Sequence, residues 1–121
     1  MANSLMFKSL STNREAITVS FRVNIGATGA VTSVAGTGVA SVVRTSAGLY
    51  TITLNETYPS LLSANATLLA PVAVNLVPQF VSEAVASTKI IVLRTVAVAT
   101  LTDPANGASL LVNLVLRNTI Y

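Results

Sequence analysis

The stretch Gly38-Val-Ala-Ser-Val-Val-Arg-Thr-Ser-Ala-Gly-Leu-Tyr-Thr-Ile-Thr-Leu54 decides the fold class. Tyr50, Ile52 and Leu54 alternate with Thr51 and Thr53. A strand repeats every two residues, so this spacing makes one dry face and one wet face. Val39 to Arg44 is rich in β-branched residues, which suit a pleated, half-buried surface. Between the two runs, Thr45-Ser-Ala-Gly48 supplies small residues and a glycine able to take positive φ. The reading is a β-hairpin.

The same alternation extends to both sides. In Ala16 to Ile25, residues Ile17, Val19, Phe21, Val23 and Ile25 share one face, and Thr18, Ser20, Arg22 and Asn24 share the other. Turns at Gly26–Gly29 and Ala35–Gly38 flank a short strand at Val31–Val34. Asn55 to Ser60 reads as a loop, because Pro59 pushes Tyr58 away from helix. Pro59–Ser63 is also compatible with one turn of helix. Ser63–Leu69 reads as a strand. Pro71 and Pro78 bracket Val72–Val77, which predicts an edge strand or a loop there, since proline cannot donate to a ladder.

Gln79–Val85 and Lys89–Val96 predict a second hairpin around Ala86–Thr88. Ile90–Leu93 is apolar on both faces, as a strand covered on both sides would be. Asp-Pro and Asn-Gly mark Leu101–Gly107 as a loop. The last strand is Ala108–Arg117, with Leu110, Val112, Leu114 and Leu116 on one face. Its other face is half apolar, so Leu111 and Val115 are expected to touch another layer or another chain. About eight strands without an amphipathic helix give an all-β class, an antiparallel β-sandwich or partly closed barrel. Residues 16–121 are expected to form one domain, with residues 1–15 as an N-terminal arm. In that arm Leu5, Met6 and Phe7 are candidate anchors on a neighbouring subunit.

Charge is scarce. Charged residues make up 9% of the 121 positions, and 52% are hydrophobic. Soluble domains usually carry about 25% charged residues. Such a chain is expected to share part of its surface with copies of itself or with a partner. The net charge of +3 comes from single, dispersed Lys and Arg residues. Without clustered basic residues or interleaved aromatics, nucleic acid is not an expected partner. Leu61–Val81 is apolar, but Asn65, Pro71, Asn75 and Pro78 interrupt it, so no membrane-spanning helix is expected. The first residues lack the basic start and apolar run of a secretory leader.

The catalytic inventory is thin. There is no His and no Cys, and the four carboxylates at Glu15, Glu56, Glu83 and Asp103 are widely spaced. No catalytic residue, metal ligand or cofactor is therefore expected. A hydrolase would need carboxylates brought together in space. Gly36-Thr-Gly38 lacks the third glycine and the following helix of a phosphate-binding loop. Asn55-Glu-Thr57 and Asn65-Ala-Thr67 match the glycosylation pattern, with no leader to support its use. Tyr50 belongs to the dry face and should pack in the core with its hydroxyl partnered. Tyr58 is a candidate contact or stacking residue, or else a loop plug. Tyr121 is a candidate anchor at the end of the sequence.

The run Gly36–Arg44, then Gly48–Leu54, Tyr58–Leu62, Ser82–Lys89, Asp103–Gly107 and Leu114–Asn118 resembles small virion proteins of tailed bacteriophages. The type is the capsid cement or decoration protein. The resemblance spans about residues 16–118 and consists of turns and strand edges. It implies a β-rich, non-enzymatic protein on the outer surface of the capsid, a homotrimer bound to the major capsid protein. An alternative within the same group is a head- or tail-fibre module that binds a host-surface glycan. The interface candidates are Leu5, Met6, Phe7, Tyr58, Leu111, Val115 and Tyr121.

Overall fold

The computed structural model describes residues 16–71 and 74–117. Among the described residues there are nine strands: β1 (Ala16–Ile25), β2 (Val31–Gly36), β3 (Val39–Ser46), β4 (Leu49–Leu54), β5 (Ser60–Leu69), β6 (Val77–Ala84), β7 (Ile90–Ala97), β8 (Thr100–Leu101) and β9 (Ser109–Arg117). One short 3-10 turn, Ala27–Gly29, follows β1. Among the described residues no helix is long and apolar enough to cross a membrane.

The strands form two antiparallel sheets. Sheet A has the order β2-β1-β9-β5, and sheet B the order β3-β4-β7-β6 with β8 added beside β7. The two sheets do not join into a closed barrel, and the architecture is that of the antiparallel β-sandwich expected from the sequence. The chain changes sheet at β2–β3, β4–β5, β5–β6 and β8–β9. First and last strands meet in the middle of sheet A, from Ala16 opposite Arg117 to Asn24 opposite Ser109.

The core lies where the dry faces meet. Sheet A supplies Val19, Phe21, Val23 and Ile25 from β1 and Leu110, Val112, Leu114 and Leu116 from β9. Sheet B supplies Val42, Tyr50, Ile52, Leu54, Ile91 and Leu93. Each fully buried Leu or Ile contributes about 1.5–3 kcal/mol of transfer free energy. Period-two patterning alone puts these residues on one side. Ala64, Ala66 and Leu68 of β5 pack against the rim of the same core.

Several local expectations change. The helical turn at Pro59–Ser63 does not form; Ser60 already pairs with Arg117. The backbone from Ser60 is captured by β9, and a ladder satisfies its polar groups better than one isolated turn. Pro78 lies inside β6, which is tolerated because β6 is an edge strand of its sheet. Val85 leaves the strand for the turn, where it is fully buried. Lys89 is not part of β7 but takes a left-handed φ of 67°. There its N–H donates to the Ala84 carbonyl at 2.9 Å and its carbonyl accepts from the Leu54 N–H at 2.8 Å. Ile90–Leu93 is covered on one side only: Ile91 and Leu93 are buried, while Ile90 and Val92 are half-buried on the outer face of sheet B. The two-residue β8 within the Ala97–Ala108 connection was not expected from the sequence.

Candidate functional site

Two features stand out beyond the core. The first is a knot of polar contacts at one end of the sandwich. Arg44 leaves the end of β3, and Asp103 sits in the loop between β8 and β9. The Arg44 Nε donates to Asp103 Oδ1 at 2.9 Å, and Nη2 donates to Oδ2 at 2.7 Å. The Gly48 N–H, from the β3–β4 turn, donates to the same Oδ1 at 2.8 Å. Gly29 has φ of +75°, and a Cβ there would lie 2.4 Å from the Asp103 Cγ. The Gly29 carbonyl accepts the Tyr50 hydroxyl at 2.6 Å.

This knot therefore ties the turn after β1, the first hairpin and the last loop together. The fork of Arg44 holds the Asp103 carboxyl below its usual range, with the Gly48 N–H helping in the same direction. Burial pushes the Tyr50 phenol up to about 12, and the nearby Asp103 carboxylate adds to that shift. Asp103 is spent on its hydrogen bonds. Glu83 is also engaged, its Oε1 accepting from the Val85 N–H at 3.1 Å. The knot is a framework element and holds no pair of carboxylates poised for acid-base chemistry. Among the described residues no group of His, Cys, Asp or Glu is placed to hold a metal ion.

The second feature is the outer face of sheet A. A shallow depression of about 470 Å³ lies there, lined by Ser20, Arg22, Asn65, Thr67, Leu111 and Asn113 among others. The alternation of β1, β9 and β5 sets these side chains on one face: Arg22 stands opposite Leu111, Leu111 opposite Thr67, and Asn113 opposite both Ser20 and Asn65. Arg22 Nε donates to Asn24 Oδ1 at 3.0 Å and to Ser109 Oγ at 3.3 Å. Ser109 Oγ donates to Asn24 Oδ1, and Asn24 Nδ2 to Ser33 Oγ. Ser20 Oγ donates to Asn113 Oδ1 at 2.7 Å. The side chains are thus braced by neutral partners. The Arg44–Asp103 contact is the one ion pair among the described residues, so no described carboxylate meets the charge of Arg22. Such a face presents two cations, Arg22 near its middle and Arg117 at the end of β9, with several amides and hydroxyls and the apolar Leu111 and Val115. It suits contact with the polar backbone and small side chains of another protein.

The sequence candidates fall into three groups. Leu111 is exposed and lines the depression, and Val115 is half-buried on the same face, opposite Thr18 and Ser63. Tyr58 is only 7% exposed and joins the core cluster. Its N–H donates to the Val85 carbonyl at 2.9 Å, and burial raises its phenol pKa. It plugs the β4–β5 loop and offers no ring for stacking. Leu5, Met6, Phe7 and Tyr121 lie outside the described residues. Sequence reasoning missed Arg22 and Asn113 as surface features and Asp103 as a junction. The alternation in β1 and β9 did signal that Arg22 and Asn113 face away from the core.

The class of protein so defined is an antiparallel two-sheet β-sandwich whose outer faces are poor in charge. Comparison with protein-family models, with curated proteins and with solved structures finds no match for this chain.

Proposed function

We propose that the protein is a non-enzymatic structural subunit of a bacteriophage virion. It acts as a capsid cement protein, binding the outer surface of the major capsid protein lattice as a homotrimer and stiffening the head. The observation that carries this reading is the chemistry of the exposed sheets. Positions that would normally be charged are taken by Val34, Val43, Leu62, Leu69, Val81 and Leu111, each at least 36% exposed. A surface with exposed apolar groups and little charge at its centre is what buried subunit contacts use. Symmetric repetition on a shell then multiplies modest contacts.

The resemblance to cement proteins supports the same reading from another side. Its runs contain Arg44, Gly48, Tyr50 and Asp103, which meet in the framework knot. The alternative of a glycan-binding fibre module loses its aromatic platform at Tyr58, which is buried. The test is co-sedimentation of the purified protein with empty shells of the major capsid protein, followed by cryo-electron microscopy. Saturable binding with added density on the outer surface at threefold positions is expected. Shells that stay bare at saturating protein overturn the proposal.

A further inference from the structure

The four edge strands of the sandwich are unequal. Those of sheet B are guarded: β3 carries Arg44 and two register shifts, and β6 carries Pro78, Glu83 and a bulge. Charges, proline and bulges are the usual devices that stop an edge from pairing with another chain. Both edges of sheet A lack charge and proline. β2 reads Val-Thr-Ser-Val-Ala-Gly, is exposed along almost its whole length, and carries one register shift near its start, between Val31 and Ser33. β5 reads Ser-Leu-Leu-Ser-Ala-Asn-Ala-Thr-Leu-Leu, with one register shift near its start. Among the described residues each is paired on one side only.

Their directions are complementary. Every neighbour in the order β2-β1-β9-β5 is antiparallel, so β2 and β5 run in opposite senses. A second copy set beside the first in the same orientation brings its β2 next to β5 as an antiparallel strand. Sheet A would then continue from copy to copy with its ladder unbroken. The side chains agree with this arrangement. The outer face of β5 presents Ser63, Asn65 and Thr67, with Leu69 at its end, and that of β2 presents Ser33 and Ala35, so uncharged and mostly small residues meet. A twofold β5–β5 contact would leave the β2 edge open; the head-to-tail contact covers both, and a head-to-tail contact closes into a ring when its rotation allows.

We propose that copies of this chain assemble through sheet A, with β5 of one copy pairing antiparallel with β2 of the next. This deepens the homotrimer reading above and rests on its self-association. It assigns the interface to the two uncharged strand edges, and the ring to three copies.

The test uses Ala35→Glu on β2 and Thr67→Glu on β5, with circular dichroism to verify folding and light scattering to read mass. The wild type should exceed the 12.5 kDa of one chain several-fold. Each variant alone should fall to the single-chain mass. An equal mixture of the two should give a dimer and nothing larger, since one intact β5 and one intact β2 remain. As a second reading, the chain has no cysteine, so engineered thiols report cleanly. Ala35→Cys combined in turn with Ser63→Cys, Asn65→Cys or Thr67→Cys should, in at least one register, oxidise to a covalent ladder ending at three chains. The Cα spacing of opposed antiparallel residues, about 4.5–5.5 Å, lies within disulfide range. A wild-type oligomer indifferent to both charges, or Ala35→Glu that still dimerises alone, overturns the edge assignment while leaving shell binding intact. A wild type of single-chain mass overturns it together with the trimer. Bare shells with a normal oligomer overturn the cement role and not this pairing.

Discussion

Arg44 and Asp103 stand 59 positions apart in the chain and meet through two parallel hydrogen bonds of 2.9 and 2.7 Å. The pair is partly open to solvent, with side-chain exposures of 32% and 23%. Its attraction alone is therefore screened and small. Its importance is what Asp103 also holds, the backbone N–H of Gly48 at the tip of the first hairpin.

Replacing Asp103 with Ala leaves that N–H and the Arg44 fork without their acceptor. Loss of the Gly48 contact is expected to cost ~1.5–3 kcal/mol, as for hydrogen bonds to charged groups. Urea denaturation checks this, and Arg44→Ala, which spares the Gly48 bond, should be milder.

Acid should weaken the same junction. The Asp103 carboxyl titrates lower in the folded chain than in the unfolded one. Its stabilisation is then complete above the unfolded value, about 4, and is lost as pH falls through the lower folded value. Stability measured across that acidic window should decline in the wild type and decline less in Asp103→Asn.

Alkali acts on Tyr50. Its phenol titrates near 12 in the folded chain, against 10 when unperturbed. A raised folded value means stability is whole below about 10 and falls as pH rises toward about 12. Tyr50→Phe should remove that alkaline slope. It should also cost ~1–2 kcal/mol at neutral pH, because the Gly29 carbonyl loses a buried donor.

Gly29 and Gly107 form a matched pair. Both have positive φ, but an added Cβ at Gly107 meets nothing nearer than Pro71 Cγ at 3.8 Å, whereas at Gly29 it strikes Asp103. Gly29→Ala should destabilise by ~1–2 kcal/mol for the left-handed backbone and more for the collision. Gly107→Ala should show the backbone part alone. Equal melting temperatures for the two would contradict the close approach.

Leu114 and Leu111 lie on opposite faces of β9. Leu114→Ala should cost ~2–5 kcal/mol through a core cavity. Leu111→Ala, on the outer face, should change monomer stability by under ~1 kcal/mol, a typical surface effect. Chemical denaturation of the two variants separates the faces.

Residue alternation made much of the sandwich legible. β1, β4 and β9 could be read with their buried faces, because period two is a local property of a strand between two phases, water and core. Where the pattern was mixed, the reading failed. Lys89 looked like a strand residue and is a left-handed turn residue, since its place is decided by Ala84 and Leu54. Tyr58, left open between a surface contact and a loop plug, takes the second place, drawn into the core beside the Val85 turn. No sequence signal marks that approach.

The sequence by itself determined that this chain makes alternating strands, which side of most of them is dry, and that few charges remain to cover the outside. Tertiary structure alone decided that β1 and β9 lie side by side, that Asp103 reaches Arg44 and Gly48, and that the uncharged strands β2 and β5 form the two ends of one sheet. Side-chain direction is set within a few residues by backbone geometry, whereas strand order depends on which distant segments pack together, and local pattern carries no record of that choice.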